Sequence, residues 1–205
     1  MNIGVDFDGV LFDTETMFRA ISQIENVKLG RKIVDFEQLM LQKRYDWSKE
    51  EIDGFIKKYM FKIHEKSCVM PLAKEVLSVL AKKHKIFGIT SRGLLNEEEI
   101  KRTNERLALE GIKFDKVFYC SSNKVALCKE LKIDIMIEDS HDNVLKIAEE
   151  GIKCFYYRDL VLNFVKHKNV VDVRNWGDVA VELEKIGAIN VEELNSITNQ
   201  IWKNN

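Results

Sequence analysis

Neither sign of charge dominates this sequence: 32 lysines and arginines face 33 aspartates and glutamates, for a net charge of −1. That balance excludes a global basic field of the kind that holds a nucleic-acid polymer or an anionic membrane surface. Positive charge that meets an anionic substrate must therefore be local. Cysteine is scarce and unpatterned. Cys68, Cys120, Cys128 and Cys154 form no C-x-x-C pair and have no histidine at ligand spacing, which argues against zinc and for free thiols. No apolar run approaches the roughly 20 residues that cross a bilayer. The opening apolar stretch is broken at once by Asp6 and Asp8, and no cationic leader precedes it. A soluble, cytoplasmic protein is expected. Internal repeats and low-complexity segments are also missing.

What the 205 residues do contain is a clear alternation, long enough for one α/β domain with a sizeable insertion. Short β-branched or apolar runs at Ile3–Phe7, Ile86–Thr90, Lys116–Cys120, Ile135–Glu138, Cys154–Tyr157 and Val170–Val173 read as strands. Between them, Pro71–Lys83, Asn96–Glu110, Lys124–Leu131 and Asp142–Glu150 read as helices. The single proline, Pro71, suits a first helical turn. Gly111 and Gly151 each follow a helical pattern, where a left-handed cap suits glycine. This is the pattern of a doubly wound parallel sheet, a Rossmann-like core with helices on its faces.

The stretch from Thr14 to Cys68 differs, being helical with no evident strand. Ser48-Lys49-Glu50-Glu51 has the form of a capping box and opens a stripe of Ile52, Phe55, Ile56, Tyr59, Met60 and Ile63. The expected organisation is a core of residues 1–13 and 70–205 with a small helical cap, 14–69, inserted after the first strand. At the far end, Asn190-Val191-Glu192-Glu193 allows a short helix, and the Asn-rich Asn199–Asn205 reads as frayed.

In open parallel sheets, ligands bind outside the carboxyl ends of the strands. Four predicted strands end or lead into reactive groups there. The first ends in Asp6-Phe7-Asp8-Gly9-Val10, whose carboxylates at i and i+2 project to one side of an extended chain. One carboxylate can act as nucleophile while the second handles the leaving group's proton. The second strand ends in Thr90-Ser91-Arg92, where hydroxyls and successive amides can grip phosphate oxygens and Arg92 can add a bidentate contact. Lys124 opens a helix, a poor place for a cation unless something negative lies nearby. The fourth strand ends in Glu138-Asp139-Ser140, and with Asp6 and the Asp8 carbonyl these carboxylates suit a hard cation, Mg²⁺. In the inserted segment, Arg44, Tyr45 and Trp47 are candidates to stack on and steer a nucleobase. Phe12 and Phe18 are candidates to line the pocket. Of the four histidines, only His141 lies near the site by sequence, and no catalytic role is assigned to it.

With these motifs in this order, the chain resembles the haloacid-dehalogenase-like hydrolases over roughly residues 1–13 and 70–175. The resemblance implies that Asp6 forms an aspartyl-phosphate, that Asp8 is the general acid/base, and that Thr90 and Lys124 hold the phosphoryl group. It also implies a Mg²⁺ site from Asp6, the Asp8 carbonyl and Asp139, with Glu138 assisting directly or through water. The second Asp argues against a true dehalogenase, which has no leaving alkoxide to protonate. Ile89-Thr90-Ser91-Arg92, Lys124 to Leu131 and Ile137 to Ser140 are similar to the cytosolic 5′(3′)-deoxyribonucleotidases and related bacterial nucleotidases. The expected substrate is a small phosphorylated compound, first a nucleotide, with a sugar phosphate or another metabolite as the alternative. A non-catalytic interaction protein and a phosphomutase are the other classes, and oligomeric state is left open.

Overall fold

The computed structural model describes residues 1–94, 96–158 and 164–203, the last without the side chains of Trp202 and Lys203. Its centre is a six-stranded, wholly parallel sheet in the order β3-β2-β1-β4-β5-β6. The strands are β1 (Asn2–Val5), β2 (Lys85–Ile89), β3 (Lys116–Phe118), β4 (Ile135–Glu138), β5 (Lys153–Tyr157) and β6 (Val170–Val173). Their continuous apolar runs follow from burial on both faces: Ile3, Val5, Ile86, Ile89, Met136, Ile137 and Phe155 are all inaccessible to solvent. Strand order reverses between β1 and β4, so the sheet's switch point lies directly above Asp6 and Asp139.

The sheet is flanked by α4 (Ala73–Leu80), α5 (Glu98–Glu110), α6 (Lys124–Glu130), α7 (His141–Glu149) and α8 (Trp176–Lys185). Gly111 closes α5 at φ 69°, and Gly151, at φ 86°, follows the cap of α7, as their positions suggested. Pro71 does not enter a helix. It lies in the turn before Leu72, whose left-handed φ of 68° precedes the first helical residue, so the proline serves the turn. The C-terminal segment is more ordered than its asparagines suggest. Asn190 exchanges side-chain and backbone bonds with Glu193, opening α9 (Val191–Lys203), which carries Asn199. Asn204 and Asn205 lie outside the described residues.

The inserted segment folds as α1 (Thr14–Leu29), α2 (Leu41–Arg44) and α3 (Lys49–Lys66). The capping box at Ser48 and Glu51 is present with both of its bonds. Phe55 and Ile63 from the expected stripe are buried with Leu41, Tyr45 and Trp47 in an apolar cluster separate from the two around the sheet. The chain leaves and re-enters the core through one narrow neck, where the Asp13 amide donates to the Cys68 carbonyl and Phe12 pairs with Val69.

Candidate active site

Each reactive residue is placed by a strand end or a helix start. β1 stops at Val5, one residue before Asp6, whose amide still donates to the Ile137 carbonyl at 3.0 Å and so ties the first motif to β4. The chain then turns tightly: the Phe7 carbonyl accepts from the amides of Leu11 and Phe12 at 2.9 and 2.8 Å. Trp176, fully buried, donates its indole N–H to the Val10 carbonyl at 2.8 Å and fixes the turn from beneath. Gly9 has φ +76°, and a β-carbon there would lie 2.2 Å from the Asp139 carboxylate. Only glycine lets the two loops meet this closely.

Asp6, Glu138 and Asp139 bring one carboxylate oxygen each within 4.8 Å of one another. Lys124, the first residue of α6, bridges two of them, with Nζ 2.7 Å from Asp6 and 2.8 Å from Glu138. The cation at this helix start, unfavourable for the macrodipole, is thus matched by two acids. Burial would lower the Lys124 pKa, but Asp6 and Glu138 outweigh it and raise the value instead. Asp6 goes the other way. Burial, reinforced by Glu138, pushes it up to about 8 despite Lys124. Asp139 is also raised well above its ordinary value, by burial and by the charges of Asp6 and Glu138. Two buried acids and a half-buried third against one lysine leave a charge deficit that a divalent cation would fill. An all-oxygen donor set suits a hard cation, Mg²⁺ among them.

Glu138 has its oxygens engaged: Oε2 takes Lys124, and Oε1 accepts from the Ser140 amide at 3.1 Å and the Asn143 side chain at 3.3 Å. It therefore orients Lys124 from within the cluster. Thr90, fully buried, follows β2, and its Oγ1 accepts from the Arg92 amide at 3.2 Å while Ser91 is exposed beside it.

Asp8 lies near enough to Asp6 for their charges to interact and for Lys124 to act on both, but it has a partner of its own. Its carboxylate turns to Arg92, which donates to it from Nη2 at 2.7 Å and from Nε at 3.1–3.2 Å. Burial would raise the Asp8 pKa, yet the Arg92 guanidinium and His64 hold it below the ordinary carboxylate value. Arg92 is consequently not a free phosphate clamp. It is 3% exposed, packs 4.5 Å over the Phe12 ring, and donates from Nη1 to Thr103.

The aromatic and basic residues expected to steer a base in the insert face inward instead. Arg44 is fully buried, pairs with Glu15 at 2.6 Å and donates to the Gln38 and Leu39 carbonyls. Tyr45 stacks on Trp47 at 5.0 Å and 16°, and Trp47 donates to Asn26 at 2.8 Å. Their ring faces and most of their polar atoms are engaged within the insert's own core, with Arg44 Nη1 buried there without a hydrogen bond among the described residues. Phe18 likewise packs on Phe55, and Phe12 on Phe7. A cleft of about 430 Å³ opens beside Asp139, lined from the insert by Gln38, Leu39, Met40 and Lys43, and from the core by His141 and Tyr156. Lys43, one residue before Arg44, sits on the solvent side of α2. A four-residue helix gives too little periodicity to tell the two apart in sequence. His64 was missed as well, although it follows Met60 by four residues and so extends the apolar stripe of α3.

No family model matches the chain. Among curated proteins, Nucleotidase CA_C3379 of Clostridium acetobutylicum is 27% identical over 185 residues, spanning 87% of this chain and 91% of that protein. Among solved structures, a haloacid dehalogenase-like family hydrolase, SP0104 from Streptococcus pneumoniae, matches at a TM-score of 0.62 and 16% identity, covering 88% of this chain and 97% of that one. A family hydrolase from Deinococcus radiodurans with bound phosphate and sodium matches at a TM-score of 0.59 and 14% identity, covering 92% and 96%. The fold is shared with these hydrolases, and the resemblance to haloacid-dehalogenase-like hydrolases and bacterial nucleotidases is supported.

Proposed function

We propose that the chain is a Mg²⁺-dependent phosphomonoesterase that works through an aspartyl-phosphate on Asp6 and acts on small nucleotides. The observation that carries this reading is the Asp6–Lys124–Glu138–Asp139 cluster, buried except for the half-buried Asp139 and deficient in positive charge at the sheet's switch point. Asp6 and Asp139 would hold Mg²⁺, with the Asp8 carbonyl beside them. Bound there, the ion supplies charge neutralisation for the phosphoryl oxygens and keeps Asp6 ionised.

In the first half-reaction a carboxylate oxygen of Asp6 attacks phosphorus, the bond to the leaving oxygen breaks, and Asp8 gives that oxygen a proton. In the second, Asp8 takes a proton from water as its oxygen attacks phosphorus; the bond between phosphorus and the Asp6 oxygen breaks, which frees phosphate and restores the Asp6 carboxylate. Arg92 favours the carboxylate form of Asp8, the form suited to activating water in the second half-reaction. Lys124, fixed by Glu138, faces the charge that develops as the phosphoryl group moves, and the Thr90 hydroxyl stands at the neighbouring strand end. The helices of 14–69 act as a cap over the site. The cleft beside Asp139 is of the size that takes a small organic ligand, roughly 300–1,000 Å³. A nucleotide is the first choice because the Clostridium relative is named a nucleotidase.

The test is a panel of 5′- and 3′-nucleotides and deoxynucleotides against sugar phosphates, each with Mg²⁺ and with chelator. Phosphate release that needs Mg²⁺ and favours nucleotides is expected. Preference for sugar phosphates would move the substrate class, and release unaffected by chelator would overturn the metal's role.

A further inference from the structure

One buried carboxylate joins the cap to the loop beside the catalytic site. Glu99, in the first turn of α5 and 5% exposed, uses its two oxygens in different directions. Oε2 accepts from the Gly93 amide at 2.6 Å, fixing the loop that carries Arg92. Oε1 accepts from Nδ1 of His64, in the last turn of α3 in the cap. The other ring nitrogen of His64 stands 3.6 Å from Asp8 Oδ1, the oxygen that also receives Arg92 Nη2 at 2.7 Å. A closed ring results: Asp8, Arg92, Gly93, Glu99, His64 and back to Asp8. Two of its links, Glu99–His64 and His64–Asp8, cross between cap and core.

We infer that His64, held by Glu99, is a positioning residue that couples the placement of the cap to the placement of the Asp8 carboxylate. With the cap seated, the imidazole flanks at 3.6 Å the Asp8 oxygen that Arg92 bonds at 2.7 Å, and limits where the carboxylate can point. With the cap lifted, His64 leaves, and Arg92 alone sets where the carboxylate points. General acid/base work at Asp8 is thereby tuned to the seated cap, when a substrate is enclosed. This inference rests on the proposed phosphomonoesterase reading, because it assigns the ring a task in that reaction.

A residue that only helped the cap to dock would affect all substrates alike. One that places the general acid matters most where the leaving group needs a proton. His64→Ala should therefore lower kcat for a nucleoside monophosphate roughly tenfold more than for p-nitrophenyl phosphate, a modest share of what a general acid supplies. In an Asp8→Asn background the same substitution should leave the ratio of the two rates unchanged. Arg106→Ala is the control: Arg106 also reaches the cap, at the Glu65 carbonyl 3.5 Å away, but does not touch Asp8, and it should leave the ratio alone. If His64→Ala fails to fold by circular dichroism, His64→Gln carries the same comparison. Equal losses on both substrates, a shift that persists without Asp8, or the same shift in Arg106→Ala would overturn the inference while leaving the phosphatase reading intact. If the wild-type protein releases phosphate from neither substrate, that reading fails first and the inference falls with it.

Discussion

Buried charge is used in opposite ways in the two halves of this molecule. Above the sheet, Asp6, Glu138 and Asp139 crowd one lysine and are left with more negative charge than the protein cancels. In the inserted segment two arginines, Arg44 and Arg19, pair with the single acid Glu15 and donate to backbone carbonyls, so the buried acid there has more cation beside it than it needs. The first arrangement costs stability and waits for a partner; the second completes a small core. Burial of a polar residue thus carries no functional meaning until its partners are counted.

The largest expected effect tests the uncompensated side. Asp6→Asn removes the proposed nucleophile and one proposed metal ligand, and phosphate release should fall by roughly 10⁴ or more. Stability of the metal-free protein should respond in the opposite sense. The Asp6 carboxyl ordinarily titrates near 3.8 and in the fold at about 8, so between those values the folded protein holds a proton that the unfolded chain has released. Metal-free wild type should therefore lose stability as pH rises from about 4 to about 8, and Mg²⁺ should restore more of it at pH 8 than at pH 5. Asp6→Asn should flatten that slope. Melting temperatures with chelator and with Mg²⁺ at several pH values check this, and a melting point that rises with pH would break the contrast.

The compensated side gives the next largest effect, and in the other currency. Trp47 is 6% exposed, stacked on Tyr45 and bonded to Asn26. Trp47→Ala should cost about 3–5 kcal/mol of stability, as truncation of a buried aromatic does. KM for the preferred substrate should stay within about twofold in the folded fraction. Chemical denaturation alongside steady-state kinetics separates the two, and a large rise in KM at unchanged stability would return Trp47 to the substrate surface.

The same contrast explains what was legible in the sequence. The sheet was readable because a parallel strand buried on both faces has no polar positions, so Ile3-Gly4-Val5 and Ile135-Met136-Ile137 stand out against amphipathic helices. Asp6, Lys124 and Asp139 were readable because strand ends and a helix start are marked by the residues flanking them. What failed was direction. Spacing placed Arg92 beside the site, but only the fold shows its guanidinium turned onto Asp8. His64 lies 56 positions from Asp8 along the chain and meets it only because α3 returns to the core, information that no local pattern holds. Arg44 and Lys43 are adjacent and basic, and which one faces the cleft depends on how a single turn of helix is rotated.

That rotation offers the smallest and sharpest test. Lys43 is exposed and lines the cleft beside Asp139, whereas Arg44 is sealed between Glu15 and two carbonyls. An exposed cation contributes up to about 1 kcal/mol to holding an anionic ligand, so Lys43→Ala should raise KM by at most about fivefold. Salt should weaken substrate binding less in the variant than in wild type, because screening has one fewer exposed charge to act on. Arg44→Leu should spare KM and lower the melting temperature, since removing Arg44 leaves Glu15 and the Gln38 carbonyl short of a donor. Should the two variants exchange behaviours, with Arg44→Leu raising KM and Lys43→Ala melting early, the cap would have to present α2 to the site turned by about 100°, one residue's rotation around a helix.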